Sequence, residues 1–435
     1  MWTWPAHVPA VRVTICKTSS GIPIGSMTSM KSLPPVCAAF WILFLANLLM
    51  GGCQHKKDWY RGNTHTHTYW SDGDAAPDQV VAWYVDHDYD FLVLSDHNVM
   101  QEGNRWFPVS ATGNRPLKQE HIELIEERFG PGWVEIRERD GTREMRLKTL
   151  VELREFCAQE GFLLVPGEEV TDRWQKHDVH INAINNEGVI PPQHGNSVQD
   201  TLQRNLDAIT ANGQANNRPV LAHVNHPNFA WSLTPEDLAS IRGERFFEVY
   251  NGHRSVHNEG DANHPSTDEM WDRALVERLA NGAGDGELLY AVATDDSHNH
   301  HGNNPHSIPG RGWIMVQAEA CTPEALIPAM KRGDFYASSG VQLKDISADD
   351  RHLRLWITEQ PGATYTTEFI GVRRKDDGGW TVPGVLSTAK GTTAVYEFTG
   401  DELYVRPRVT SSLPHPHPYR EGDLQMAWGQ PVQPG

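Results

Sequence analysis

The sequence predicts an α/β fold built on a parallel sheet, followed by a smaller all-β region. Through the middle of the chain, short apolar runs alternate with amphipathic stretches, which is the signature of strand–helix units. After Gly340 the helical periodicity stops and only strand-like alternation continues. Short motifs rich in His, Asp and Glu also fall where the apolar runs end, the position at which parallel α/β sheets carry their active sites.

Trp59 to His67 reads as a first strand. Pro77 to Asp88 has Val80, Val81 and Tyr84 at helical spacing, with Asp78 and Asp88 expected on its solvated surface. Phe91-Leu92-Val93-Leu94 suits a buried parallel strand. Residues 101–146 are polar, rich in Gly, Arg and Glu, and read as an insertion. Leu147 to Glu160 returns to helix and Phe162 to Val165 to strand. Val179 to Ile184, Val220 to Val224, Phe246 to Tyr250 and Leu288 to Ala293 are further strands, with helices expected at Val198 to Ala211 and Asp268 to Leu279. Thr322-Pro323-Glu324 starts a last helix that Gly333 ends. Repeated units of this kind make a parallel sheet, either a barrel or a doubly wound fold. Beyond it, Leu353 to Ile357, Val395 to Phe398 and Leu403 to Val405 read as strands, so residues 341–435 are expected to form a small all-β, sandwich-like domain.

The first 53 residues read as an address. Val36 to Met50 is apolar apart from Asn47, too short for a confident spanning helix but suited to the apolar part of a signal peptide. Met50-Gly51-Gly52-Cys53 and the polar residues after it resemble a bacterial lipoprotein cleavage site, although Met50 stands where leucine is usual. Met27 and Met30 are better-placed starts for such a leader, which leaves the residues before them as an extension. The expectation is an exported protein, lipidated at Cys53, on the periplasmic side of the membrane, with Gln54 favouring the outer membrane. Of the five cysteines only Cys157 and Cys321 would then remain, as one disulfide or two buried thiols.

Across 435 residues the formal charge is −18, with 39% hydrophobic and 22% charged residues. That balance fits a globular chain and excludes a polytopic membrane protein, a coiled coil, a mostly disordered chain and a general nucleic-acid binder. The 22 histidines stand out, since His is the commonest metal ligand. They recur in order as His65-Thr66-His67 with Ser71-Asp72-Gly73, Asp96-His97, Pro166-Gly167-Glu168-Glu169, His177-Asp178-Val179-His180, His223-Val224-Asn225-His226-Pro227 and Asp295-Asp296-Ser297-His298. Residues i and i+2 of a strand share a face, so His65 and His67 can grip one ion. A lone His-x-His or Asp-His is weak evidence, and His300, His301 and His306 read equally well as a polar loop. The conjunction at successive strand ends points to a site for two or three divalent ions, with nitrogen and oxygen donors that suit zinc, manganese or iron.

The ordered set HxH…SDG, DH, PGxE, H, HP, DxH resembles the PHP family, named for polymerase and histidinol phosphatase, over residues 59–340. Gly333 to Gly340 and Ala427-Trp428-Gly429-Gln430-Pro431 resemble the end of the barrel and of the β domain in exported PHP proteins. The resemblance implies a distorted (β/α)7 barrel over 54–340, followed by the β domain, and a metal-dependent phosphoesterase. It implies that His65, His67 and Asp296 hold a first metal, which Glu169 bridges to a second held by His180 and His226. His97 and His298 would hold a third, with Asp72. Glu168 beside Glu169, and His223 beside His226, are the competing choices.

In the mechanism this implies, a water bridging two ions loses its proton near neutral pH and attacks phosphorus in line, with Glu169 and Asp296 holding the ions. The ions also let an acidic protein bind an anion. Arg254, just past the Phe246–Tyr250 strand, is the expected phosphate clamp, with Lys176 a weaker candidate. The expected substrate is a phosphorylated small molecule or glycan. Two rivals stand beside this function: an amidohydrolase-type metal hydrolase, whose barrel also opens with His-x-His, and a lipid-anchored surface binding protein. The β domain, which carries none of the candidate ligands, is expected to serve stability rather than chemistry.

Overall fold

The computed structural model describes residues 57–302 and 304–434. The leader, the apolar run 36–50 and Cys53 lie outside the described residues. Among the described residues no helix is long and apolar enough to cross a membrane. Cys157 is a buried free thiol and Cys321 a partly buried one, so the open choice between one disulfide and two thiols falls to the thiols.

The strand–helix alternation is present, with one departure. β1 (Asp58–Asn63), α1 (Pro77–Asp86), β2 (Phe91–Leu94), α3 (Leu150–Gln159) and β6 (Leu163–Trp174) follow in order, and β1, β2 and β6 pair in parallel. β7 (His177–Ile184) then turns back as an antiparallel partner of β6. Gln175 and Lys176 alone connect the two, too short for the dozen or more residues that a parallel crossover needs. Parallel pairing resumes across β8 (Leu221–Val224), β9 (Phe246–Asn251) and β10 (Tyr290–Thr294), with α4 (Val198–Ala215), α5 (Pro235–Ser240) and α6 (Thr267–Asn281) as the connecting helices. Capping explains where these helices start: Ser197, Thr234 and Ser266 each accept a backbone N–H three residues on. Asp78 departs from its expected solvated position. It is buried and accepts the indole N–H of Trp133 at 2.9 Å, because the insertion covers α1.

The sheet is not the closed barrel expected. Its order is β10-β9-β8-β7-β6-β2-β1 and then β11 (Trp313–Ala318), β12 (Phe335–Ser338), β19 (Leu424–Gly429), β18 (Glu402–Pro414), β15 (Tyr365–Arg373) and β16 (Gly384–Lys390). No ladder joins β10 to β1. Their C-terminal extensions meet in a single bridge, Thr66 to Ser297, where the His67 N–H donates to the Ser297 carbonyl at 2.9 Å. β11, an antiparallel partner of β1, occupies the edge that closure would need and leads the sheet outward.

The strands after Gly340 continue this same sheet through β12 and β19, in the register Tyr336 to Gly429, Ala337 to Trp428 and Ser338 to Ala427. A separate three-stranded sheet, β13 (Leu343–Ala348), β14 (His352–Ile357) and β17 (Thr393–Glu397), packs over them. β14 alternates partly and fully buried residues, and its Leu353, Leu355 and Ile357 share a core with Tyr365, Phe369, Val405 and Val409. The insertion also folds. α2 (Gln119–Phe129) and the sheet of β3 (Trp106–Pro108), β5 (Thr142–Arg146) and β4 (Ile136–Arg139) enclose a core of Tyr69, Leu117, Ile122, Ile125 and Met145.

β18 is tied to α6 by a buried ion pair. Arg406 places Nε 2.7 Å and Nη2 2.6 Å from the two carboxylate oxygens of Asp272, and Tyr404 donates to the same carboxylate at 2.7 Å. Asp268 Oδ1 also lies 2.8 Å from Arg406 Nη2, so the guanidinium faces two carboxylates, whereas Asp272 has Arg406 as its cationic partner, and removing that partner leaves a buried charge uncompensated. Arg406→Ala is therefore expected to destabilise the protein by about 3–5 kcal/mol, read as a lower urea midpoint at unchanged slope. A change within a few tenths of a kcal/mol would show that water reaches Asp272.

Candidate metal centre

The site forms beyond the ends of β1, β2, β8 and β10 and against the interior of the paired strands β6 and β7. His65 and His67 follow β1, and their Nε2 atoms face each other at 3.1 Å. Asp296 Oδ1 lies 3.2 Å from both. Glu169, within β6, is 1% exposed. Its Oε2 is 3.3 Å from both His65 Nε2 and His67 Nε2 and 2.9 Å from His97 Nδ1. Its Oε1 is 3.0 Å from His180 Nδ1 and 3.3 Å from His226 Nε2. Asp72, on the loop after His67, reaches His298 Nε2 at 3.3 Å and His97 Nε2 at 3.5 Å. The structure thus brings together His65, His67, Asp72, His97, Glu169, His180, His226, Asp296 and His298.

Their donor atoms group as His65, His67 and Glu169; as His65, His226 and Asp296; as His97, Glu169 and His180; and as His67, Asp72, His97 and His298. Both competing choices separate by face. Glu168 points away from Glu169 and accepts from Asn186 Nδ2 and the Ile190 N–H. His223 turns from the cluster to the Thr64 hydroxyl at 3.0 Å. Arg254 is exposed, donates to the Pro418 carbonyl at 3.3 Å and hydrogen-bonds none of these residues. Lys176 sits exposed in the β6–β7 turn. Asp296 and His226 have positive φ, 47° and 24°, the kind of backbone strain that clusters at functional sites.

The donor set fits divalent cations. His65 Nδ1 lies 2.7 Å from Glu248 Oε1, which places a ring proton there; burial is outweighed by Asp296, Glu248 and Glu169, which raise the ring's pKa, so a cation would take the place of the second proton, on the inward Nε2. His298 Nδ1 donates to the Asp296 carbonyl at 2.9 Å and leaves its Nε2 free toward Asp72 in the same way. Burial pulls the Glu169 carboxyl upward, but His97, His65 and His180 outweigh it and hold it well below the usual range. Asp296 is likewise ionised: His65, His67 and His298 overcome its burial. Glu169 Oε2, buried, has no hydrogen-bond donor among the described residues. Inward ring nitrogens and ionised oxygens without donors to match are what a cation satisfies.

A supporting layer went largely unread in the sequence. Glu248, on β9 and fully buried, bonds His65, the His226 N–H at 2.7 Å, Asn251 Nδ2 at 2.8 Å and Thr294 Oγ1 at 2.7 Å. No motif marks it, and only a polar residue inside the apolar run Phe246–Tyr250 could have drawn notice. The first acids of the two Asp-led motifs are pins. Asp96 accepts from the Thr68 N–H, the Ser71 hydroxyl and Gln101, which sets the loop carrying Asp72. Asp295 accepts from Tyr84 and the N–H groups of Gly310, Arg311 and Gly312. The insertion adds Arg115, whose guanidinium holds the Ser71 and Gly73 carbonyls on either side of Asp72.

Loss of such an outer partner typically costs 10–100-fold in metal affinity. Glu248→Ala is expected to weaken divalent-ion binding by about that factor while every ligand remains, and calorimetric titration of Mn²⁺ or Zn²⁺ into metal-free protein measures it. Unchanged affinity would mean that His65 is oriented by packing alone.

No protein-family model matches the chain, and no curated protein matches it. Solved structures do. One is a two-domain protein from Bacteroides vulgatus containing a predicted PHP-like metal-dependent phosphoesterase, at 15% identity and a TM-score of 0.39, covering 81% of this chain and 90% of that one. Another is a candidate metal-dependent phosphoesterase from Bifidobacterium adolescentis, at 13% identity and a TM-score of 0.31, covering 57% of this chain and 90% of that one. A third is an amidohydrolase from Chromobacterium violaceum with bound sulfate and no metal, at 13% identity and a TM-score of 0.29, covering 57% and 89%. The chain's neighbours among solved structures thus include a protein with a predicted PHP-like metal-dependent phosphoesterase and an amidohydrolase.

Proposed function

We propose that the protein is a metal-dependent phosphoesterase that hydrolyses a phosphate ester at a site holding two or three divalent ions. The observation that carries this reading is the buried Glu169 carboxylate, with imidazole nitrogens of five histidines within 3.3 Å of its two oxygens. Its two oxygens face different groups, His180 and His226 on one side and His65, His67 and His97 on the other, which suits a carboxylate shared between ions. What the ions supply when bound is Lewis acidity, which brings the pKa of water to about 7 and stabilises charge on phosphoryl oxygens.

The chain's own residues do the rest. His65 and His67 present their Nε2 atoms beside Asp296 Oδ1, and that carboxylate is placed to accept a proton from an attacking water. His97, Asp72 and His298 form the outer, more exposed group: Asp72 is half-exposed, whereas Glu169 is enclosed. An incoming ester therefore meets the Asp72 side first. A phosphorylated small molecule or glycan is the proposed substrate, and Zn, Mn or Fe the proposed ion.

Chelation is expected to abolish hydrolysis of phosphomonoesters or phosphodiesters, and Mn²⁺ or Zn²⁺ to restore it. Glu169→Gln is expected to lose most of the bound metal, measured by mass spectrometry, because the amide replaces an anionic oxygen facing several donors. Full activity in a metal-free sample, or turnover of amides in place of phosphoesters, would overturn the reading. We also propose export, with lipid on Cys53. Cys53→Ser is expected to release the chain from the membrane fraction of a lipoprotein-processing host, and identical cytosolic, uncleaved forms of both proteins would reject it.

A further inference from the structure

Arg254, the expected anion contact, is exposed and donates from Nη2 to the Pro418 carbonyl at 3.3 Å. The residue before it, His253, is placed differently. Its ring meets His298 edge-on, with centroids 5.4 Å apart, and stands beside Phe229, which in turn packs on His226 at 5.2 Å. His253 therefore sits at the rim of the candidate metal centre, against His298 and, across Phe229, on the side of His226.

The ring is held in one state. The Ser255 N–H donates to His253 Nδ1 at 3.2 Å, so Nδ1 is an acceptor and the ring proton belongs on Nε2. Position is fixed as well as tautomer. The His253 N–H donates to Asn251 Oδ1 at 2.8 Å, and the His306 ring packs edge-on at 4.7 Å while its own Nε2 lies 3.0 Å from the Ser255 hydroxyl. His253 Nε2 has no hydrogen-bond partner among the described residues, and the residue is only partly buried. An imidazole with a proton on Nε2 has no lone pair there for a cation. Consistently, His253 joins none of the groups of converging donor atoms.

We propose that His253 is a fixed hydrogen-bond donor to a phosphoryl oxygen of the substrate, and not a metal ligand. A preorganised donor beside a cation site is worth most where charge builds on an oxygen. The Ser255 N–H thus has the same role for His253 that Glu248 has for His65, with the opposite result: the His65 ring offers Nε2 to a cation and the His253 ring a proton to an anion. This inference rests on the phosphoesterase reading.

The test uses the full chain loaded with Mn²⁺ and inorganic phosphate as the probe. His253→Phe keeps the ring volume and removes the donor, whereas His253→Gln retains a donor on its amide. The expected result is an unchanged metal content in both variants. Phosphate affinity should fall about tenfold or more in the Phe variant, as for a lost hydrogen bond to a charged group, and recover in part with Gln. Metal loss in His253→Gln would make His253 a ligand and overturn the proposal. Equal phosphate affinity in all three proteins would overturn it too, and would leave the phosphoesterase reading standing. A wild-type protein that holds metal but neither binds phosphate nor hydrolyses a phosphoester would overturn that reading instead.

Discussion

The carboxylate of Glu169 sets the constraint that the rest of the site obeys. It is an ionised group enclosed by protein, and burying a lone charge is costly unless it is paired and hydrogen-bonded. Among the described residues Asn225 Nδ2, 2.8 Å from Oε1, is the one amide donor fixed on it, and imidazoles surround the rest. They come from the segments after β1, β2 and β8 and from β7. Because the backbone of Glu169 also bridges to His97, while Thr66 bridges to Ser297, the segments that carry the candidate ligands are tied to one another as well as to their own strands.

This arrangement needs support from sequence-distant regions. Arg311 is fully buried without a carboxylate partner. Its guanidinium donates to the carbonyls of Gly252, Pro305, His306 and His417, and so joins the loop after β9, the loop after β10 and the segment after β18. His415 Nε2 reaches the Arg311 carbonyl at 2.8 Å, and the Tyr419 hydroxyl donates to the carbonyls of Arg254 and Val256. The C-terminal strands carry no candidate ligand, yet residues 415–419 hold the loop that bears His253. The expectation that this region serves stability alone overlooks these contacts, because carbonyl-directed hydrogen bonds leave no trace in side-chain patterning. The insertion has a similar relation to Asp72 through Arg115 and the Tyr69 and Trp70 core.

By itself, the sequence determined the pieces whose signal is local. Apolar runs placed β2 at Phe91–Leu94, and β8, β9 and β10 within a residue or two, since a buried strand must be continuously apolar. Helical spacing placed starts at Val198 and Asp268, at or one residue past the observed ones, while the Ser197 and Ser266 caps emerged only in the structure and Thr322, the cap expected for the last helix, makes no side-chain capping bond. The period of two put His65 and His67 on one face, and the PGxE and His-Pro patterns selected Glu169 and His226 over their neighbours. The tertiary structure decided everything that depends on partners far along the chain. A two-residue turn made β7 antiparallel, β11 took the edge that a closed barrel would need, and β19 joined the C-terminal strands to the main sheet. The grouping of the ligands, the inward Nε2 of His65 set by Glu248 and the outward proton of His253 set by Ser255 were decided there too. Residue types fix which chemistry is possible, but which nitrogen of a histidine carries the proton depends on what the fold places against the other one.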